Sequence, residues 1–146
     1  MIVTDIIDEK GRAVAKAQPG DMLVEAARTM QKFNVGALVV CDKSEQLVGI
    51  VSERDIMHAV ADHGRPAAEI QVKKVMTTEL HTCTLADAII DVMHLMTEKR
   101  IRHVPVMDGK QLIAIISIGD VVKRRLSETK IESQVMRDYV QVLRSR

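Results

Sequence analysis

The chain has 146 residues, 47% hydrophobic and 28% charged, the profile of a globular protein of ordinary domain size. Its net charge of +1 supplies no broad field for nucleic acid or an anionic membrane, and no apolar run approaches the roughly eighteen residues needed to span a bilayer. Phe33 and Tyr139 are the only residues of the Phe, Tyr and Trp class, which excludes the stacked aromatic platform of a single-strand nucleic-acid binder.

In chain order, residues 1–11 read as an N-terminal arm whose Ile2, Val3, Ile6 and Ile7 can pack on the body. A short strand is predicted at 14–17, ended by Pro19-Gly20. From Asp21 to Phe33 the apolar positions 22, 23, 26, 27, 30 and 33 form one helix face, with Asp21 placed as its cap. Strands at 37–41 and 47–51 follow, joined by the polar turn Asp42-Lys43-Ser44-Glu45, and then a helix from Glu53 to about Ala61. Residues 67–79 read as a bridge with one helical turn near 72–76. Beyond it the pattern predicts a strand at 80–83, a helix at 86–99, strands at 103–107 and 111–117, and a helix from Ile118 to about Ser127. A separate amphipathic helix is predicted at 131–143, with apolar positions 131, 135, 139, 142 and 143.

This order is a duplication. Gly49-Ile50-Val51-Ser52-Glu53-Arg54-Asp55 returns 65 residues later as Ala114-Ile115-Ile116-Ser117-Ile118-Gly119-Asp120. Upstream the offset is 66, so that Leu23, Ala26, Ala27 and Met30 answer to Ile89, Val92, Met93 and Met96. The one-residue change falls in the hairpin turn, where length varies easily. The expected organisation is an arm and first repeat over 1–66, a bridge over 67–79, a second repeat over 80–130 and an appended helix over 131–146. Half-domains of this size are marginal alone and should share a core. The expected class is mixed α/β, two β-α-β-β-α repeats related by a pseudo-twofold axis.

Each Ser-x-x-Asp lies where a strand ends and a helix begins. Ser52 with Asp55, and Ser117 with Asp120, make a capping-box variant, which is a sufficient structural reason for both residues. The same geometry suits a nucleotide: a helix N-terminus attracts phosphate, and a nearby carboxylate accepts hydrogen bonds from both ribose hydroxyls. Cations stand at matching places, Arg102 beside His103 in the second repeat, and Arg54 and Lys16 in the first. The five histidines lack the spacing of a metal site, and no nucleophile elbow, phosphate-binding loop or carboxylate pair points to catalysis.

The runs Thr97 to Val106 and Ser117 to Lys123 resemble the second half of a tandem cystathionine-beta-synthase-type (CBS) domain pair, or Bateman module. Asn34 to Val40 and Gly49 to Asp55 resemble its first half, and the resemblance spans roughly residues 2 to 143. It implies two repeats meeting sheet to sheet, frequent homodimers, and an adenosine-type ligand such as AMP, ADP, ATP, NAD or S-adenosylmethionine held between the copies. By position, Asp55 and Asp120 would hold ribose, while Ser52 and Ser117, with Arg54 and Gly119 beside them, would approach ribose or phosphate. Backbone at Val35-Gly36 and Ile101-Arg102 would meet adenine. Thr82 stands where many members have Thr, and Lys16 replaces it in the first repeat. The functional expectation is a non-catalytic regulatory module with an unidentified protein partner; the alternative is a scaffold that keeps the fold without a ligand. With no secretory signal at the start, and Cys41 and Cys83 inside apolar runs, the expected setting is the reducing cytoplasm, away from membrane and nucleic acid.

Overall fold

A computed structural model describes residues 1–145; Arg146, the end of the predicted C-terminal helix, lies outside the described residues. The elements are α1 (Val3–Lys10), β1 (Lys16–Ala17), α2 (Leu23–Phe33), β2 (Ala37–Cys41), β3 (Leu47–Ser52), α3 (Glu53–His63), two 3-10 turns (Arg65–Glu69 and Val72–Lys74), α4 (Ile89–Lys99), β4 (His103–Asp108), β5 (Gln111–Ser117) and α5 (Ile118–Arg144). The class is mixed α/β, with strands ordered β1-β2-β3 in one sheet and β4-β5 in the other.

The two hairpins repeat in register. Ala37 pairs with Ser52 and Val40 with Gly49, as His103 pairs with Ser117 and Val106 with Ala114. Both carry the same irregularity, at Val40/Cys41 and at Val106/Met107, and the odd residue lies beyond it, in the longer first turn between Cys41 and Leu47. Alternation sends Leu38 and Val40 into a core with Leu23, Ala26, Met30 and Val51. Val104 and Val106 enter an equivalent core with Ile89, Val92, Met96 and Ile116. Ala37, Val39 and Cys41, on the opposite face of β2, are buried as well. Gly36 lies beside His103 and the two hairpin tips line one cavity, so the two sheets run close together at both ends and cover that face.

The leading segments are exchanged between the copies. Val72 donates its N–H to Asp21 O (2.8 Å) and Lys73 to Pro19 O (2.9 Å), while Leu23 donates to Ile70 O (2.9 Å). In the second copy the same three bonds come from the start of the chain: Val3 to Asp87 O (2.9 Å), Thr4 to Leu85 O (3.0 Å) and Ile89 to Met1 O (3.0 Å). The residues before the second repeat therefore complete the first, and the N-terminus completes the second. Val3, Ile6 and Ile7 are buried in the second core, so the expected arm is a helix belonging to that copy.

Three local expectations change. Asp21 does not cap α2: its Oδ2 accepts from Gln18 N (2.8 Å), and Glu25 Oε2 accepts from Met22 N (2.9 Å) one turn later. The strand expected at 80–83 reduces to a single parallel bridge between Cys83 and Val106, because only Cys83 reaches the edge of β4, exchanging bonds with Pro105 O (3.0 Å) and Met107 N (2.8 Å). The helices expected at 118–127 and 131–143 are one, since Glu128-Thr129-Lys130 contains no glycine or proline to stop it. Residues 131–145 of that stretch are exposed throughout, including Ile131, Val135 and Tyr139.

Candidate ligand cleft between the repeats

A cleft partly open to solvent lies between the copies. The first copy contributes Gly36, Ile50, Ser52, Glu53, Arg54 and Asp55; Thr77, Glu79, Leu80, His81, Arg100, Ile101, Arg102 and His103 form the other wall. Ile50, Leu80 and Ile101 supply apolar surface, and Ser52 and Asp55 stand where β3 turns into α3.

Asp55 Oδ2 accepts from the Ser52 N–H (2.8 Å) and the Ser52 hydroxyl (3.0 Å), and the Asp55 N–H donates back to Ser52 Oγ (3.3 Å). This is the capping box read from the sequence. It occupies one carboxylate oxygen, and Oδ1 has no partner among the described residues. Glu53 N donates to Gly36 O (2.9 Å), which ties the helix start to the glycine across the hairpin. Arg54, Arg100 and Arg102 form no ion pair among the described residues, so three guanidinium groups line the cleft without a carboxylate of their own.

Arg100 was not singled out from the sequence. It ends α4 with φ 54° and ψ 43°, a left-handed conformation matched by Asn34 at the end of α2 with φ 52° and ψ 50°. The turn delivers Ile101 into the cleft by bonding its N–H to Met96 O (3.0 Å), as Val35 bonds to Met30 O (3.0 Å). The 66-residue offset pairs positions 34 and 100, and that was the signal available. Glu53, Thr77, Glu79, Leu80 and His81 were also missed; Thr77 arrives through reciprocal bonds with Ile50 (2.8 and 3.0 Å) that no motif announces.

The structure brings Ser52, Arg54, Asp55, Gly36, Ile101, Arg102 and His103 to one cleft and leaves the other expected site residues elsewhere. Lys16 is at the opposite end of the sheet, its Nζ 3.1 Å from Glu45 Oε2 in the hairpin turn, because its place on β1 points it along β2 toward the tip. Val35 lines a separate groove between α2 and α3. Thr82 is exposed, and its neighbours Leu80 and His81 take the cleft positions instead. Ser117 and Asp120 form their own capping box, with Ser117 N to Asp120 Oδ2 at 2.8 Å and Asp120 N to Ser117 Oγ at 3.2 Å, and Gly119 is exposed beside it.

Asp120 differs from Asp55 in one respect that decides its chemistry. Lys10 Nζ is 2.7 Å from Asp120 Oδ2 and 2.9 Å from Ile115 O. Partial burial alone would push the Asp120 carboxyl up, but the hydrogen bonds from Lys10 and Ser117 and the lysine charge outweigh it and hold the acid below its ordinary range. His103, between this pair and Glu53, is held below the ordinary imidazole value by burial first and by Lys10 second, against the opposing pull of Glu53 and Asp120. Burial pushes the Cys83 thiol up to about 12, so it is an inert core residue. No cluster of His, Cys, Asp and Glu suited to a metal is found among the described residues, and no helix among them is long and apolar enough to cross a membrane.

Comparison with known proteins agrees with this architecture. The CBS domain family model matches twice, over residues 3–62 and 72–127, and the chain belongs to the CBS-domain family. It is 36% identical over 147 aligned residues to the mitochondrial CBS domain-containing protein CBSX3 of Arabidopsis thaliana, covering 95% of this chain and 71% of that one. A CBS-domain-containing protein of Agrobacterium tumefaciens superposes with a TM-score of 0.83 at 40% identity, over 85% of this chain and 92% of that one. The CBS domain pair of protein MJ0100, solved in complex with 5′-methylthioadenosine and S-adenosyl-L-methionine, superposes with a TM-score of 0.75 at 25% identity, over 84% of this chain and 98% of that one.

Proposed function

We propose that the protein is a non-catalytic regulatory module that binds an adenosine-containing ligand, of the AMP, ADP, ATP, NAD or S-adenosylmethionine class, in the Asp55 cleft. The observation that carries this reading is the Oδ1 of a carboxylate anchored at a helix start, without a partner among the described residues, inside a cleft with apolar walls and three arginines that form no ion pair among those residues. One carboxylate accepts hydrogen bonds from two vicinal hydroxyls, aliphatic walls enclose a purine, and guanidinium groups meet phosphate. The adenosine ligands of the MJ0100 domain pair support the same class. Regulation follows if a ligand bridging the two copies favours one packing of them over another, which requires different affinities for the two arrangements.

The reading includes a homodimer, in which a second copy covers Met57 of α3 and Val122 of α5, exposed apolar residues at positions the repeat relates. The regulated protein is a partner of this assembly. A thermal-shift screen with the named ligands tests the binding, since a ligand at a hundred times its dissociation constant adds about 2.7 kcal/mol. No shift with any of them removes the reading. It would favour a scaffold in which Ser52 and Asp55 serve only as a cap, a role their reciprocal bonds also fill.

A further inference from the structure

The 65-residue offset relates Ile50, Ser52 and Asp55 to Ile115, Ser117 and Asp120, so the fold should present a second pocket equivalent to the cleft. The two differ in what meets the backbone and the carboxylate. In the first copy Ile50 O accepts the Thr77 N–H (2.8 Å), and Asp55 faces the cleft. In the second, Ile115 O accepts Lys10 Nζ (2.9 Å), and the same ammonium sits 2.7 Å from Asp120 Oδ2. Lys10 thus sits on the capping oxygen of Asp120, which Ser117 N also holds, where the Ser52 hydroxyl sits on Asp55, and its ammonium offsets the carboxylate charge that a ribose would meet.

The lysine is held there. It is the last residue of α1, whose Val3, Ile6 and Ile7 are buried in the second core. The adjacent Glu9 pairs with Lys123 (3.4 Å) and Arg124 (3.3 Å) of α5, and the N-terminal ammonium lies 3.5 Å from Glu128. A helix fastened by packing and by three ion pairs presents its final side chain to Asp120.

We infer that Lys10 closes the second pocket of this chain, a latent adenosine site, so that each chain takes one ligand, at Asp55. The inference rests on the adenosine reading of the cleft. By the repeat, Gly119 and Gly36 stand where Arg54 and Arg102 stand at the Asp55 cleft, so the latent pocket lacks those two cations, and Lys123 and Arg124 beside Asp120 are both paired with Glu9. Once opened, it should accept an adenosine without phosphate in preference to a nucleotide.

Titration calorimetry of the full chain with 5′-methylthioadenosine and with AMP tests this on Lys10→Ala and Lys10→Met, the second keeping the aliphatic stem should the first fail to fold. Wild type should bind one methylthioadenosine per chain and either variant two, the added site at least tenfold weaker for AMP. Asp55→Asn isolates the second pocket: that variant should bind roughly ten- to a hundredfold more weakly than wild type, and Lys10→Met with Asp55→Asn should bind one methylthioadenosine more tightly than Asp55→Asn does. Failure of wild type to bind would count against the Asp55 cleft alone, because the double variant still reports on the latent pocket. Two ligands on wild type, or none on the double variant, would overturn the inference.

Discussion

Asp55 and Ser52 hold each other through one carboxylate oxygen, with both the N–H and the hydroxyl of Ser52 on Asp55 Oδ2 at 2.8 and 3.0 Å. The division of labour between the two oxygens separates structure from binding. Asp55→Asn keeps a side-chain oxygen for the cap and loses the charged acceptor. It should cost less than about 1 kcal/mol in urea denaturation while weakening adenosine ligands by roughly ten- to a hundredfold in calorimetry, the worth of a hydrogen bond to a charged group. Unchanged affinity would assign Asp55 to capping alone.

Arg100 adopts a left-handed conformation at φ 54°, where a side chain other than that of Gly or Asn is disfavoured by about 1 kcal/mol or more. A strained residue lining a cleft points to use. Arg100→Gly should raise stability by about 1 kcal/mol and lower affinity for ATP more than for methylthioadenosine. Paired denaturation and binding curves check both signs.

Gly49 answers to Ala114 in the repeat, and the packing explains the difference. A Cβ on Gly49 would stand 2.7 Å from Met76 Sδ and 3.1 Å from Thr77 O. The sulfur can swing aside; the carbonyl belongs to the bridge with Ile50. Gly49→Ala should therefore destabilise by about 1–3 kcal/mol, as overpacking does, and weaken ligand binding by displacing Thr77. Denaturant midpoints and calorimetry on the same variant test the pair.

His103 sets a pH dependence. Its folded form binds a proton less readily than the unfolded chain, owing to burial and to Lys10. As pH falls below the ordinary imidazole value, about 6.5, the unfolded chain takes up the proton first, and stability declines. The melting temperature of wild type should fall between pH 7 and pH 5, and His103→Gln should flatten that decline. A parallel decline in the variant would assign the effect to other groups.

The duplication, both hairpins and the two capping boxes are legible in the sequence because they rest on short-range patterns: alternation, turn chemistry and an acid three residues after a serine. The exchange of leading segments is not. Ile2, Val3, Ile6 and Ile7 announce an apolar face, but nothing local says which copy it covers, and so the contact of Lys10 with Asp120, 110 residues away, leaves no trace. Lys16 misled for a related reason. The repeat places it opposite Thr82, yet its side chain runs toward Glu45 at the hairpin tip, a direction set by the sheet. The continuous α5 follows a different lesson, since a polar stretch without glycine or proline is a change of face and need not end a helix.

The central claim is that Asp55 receives the ribose of an adenosine ligand between the copies. A crystal structure of the protein grown with AMP measures this directly. The account predicts both ribose hydroxyls within hydrogen-bond distance of Asp55, the base between Ile50 and Ile101, and phosphate toward Arg54 or Arg102. AMP bound elsewhere, or seated in the cleft with its ribose turned away from Asp55, would contradict it.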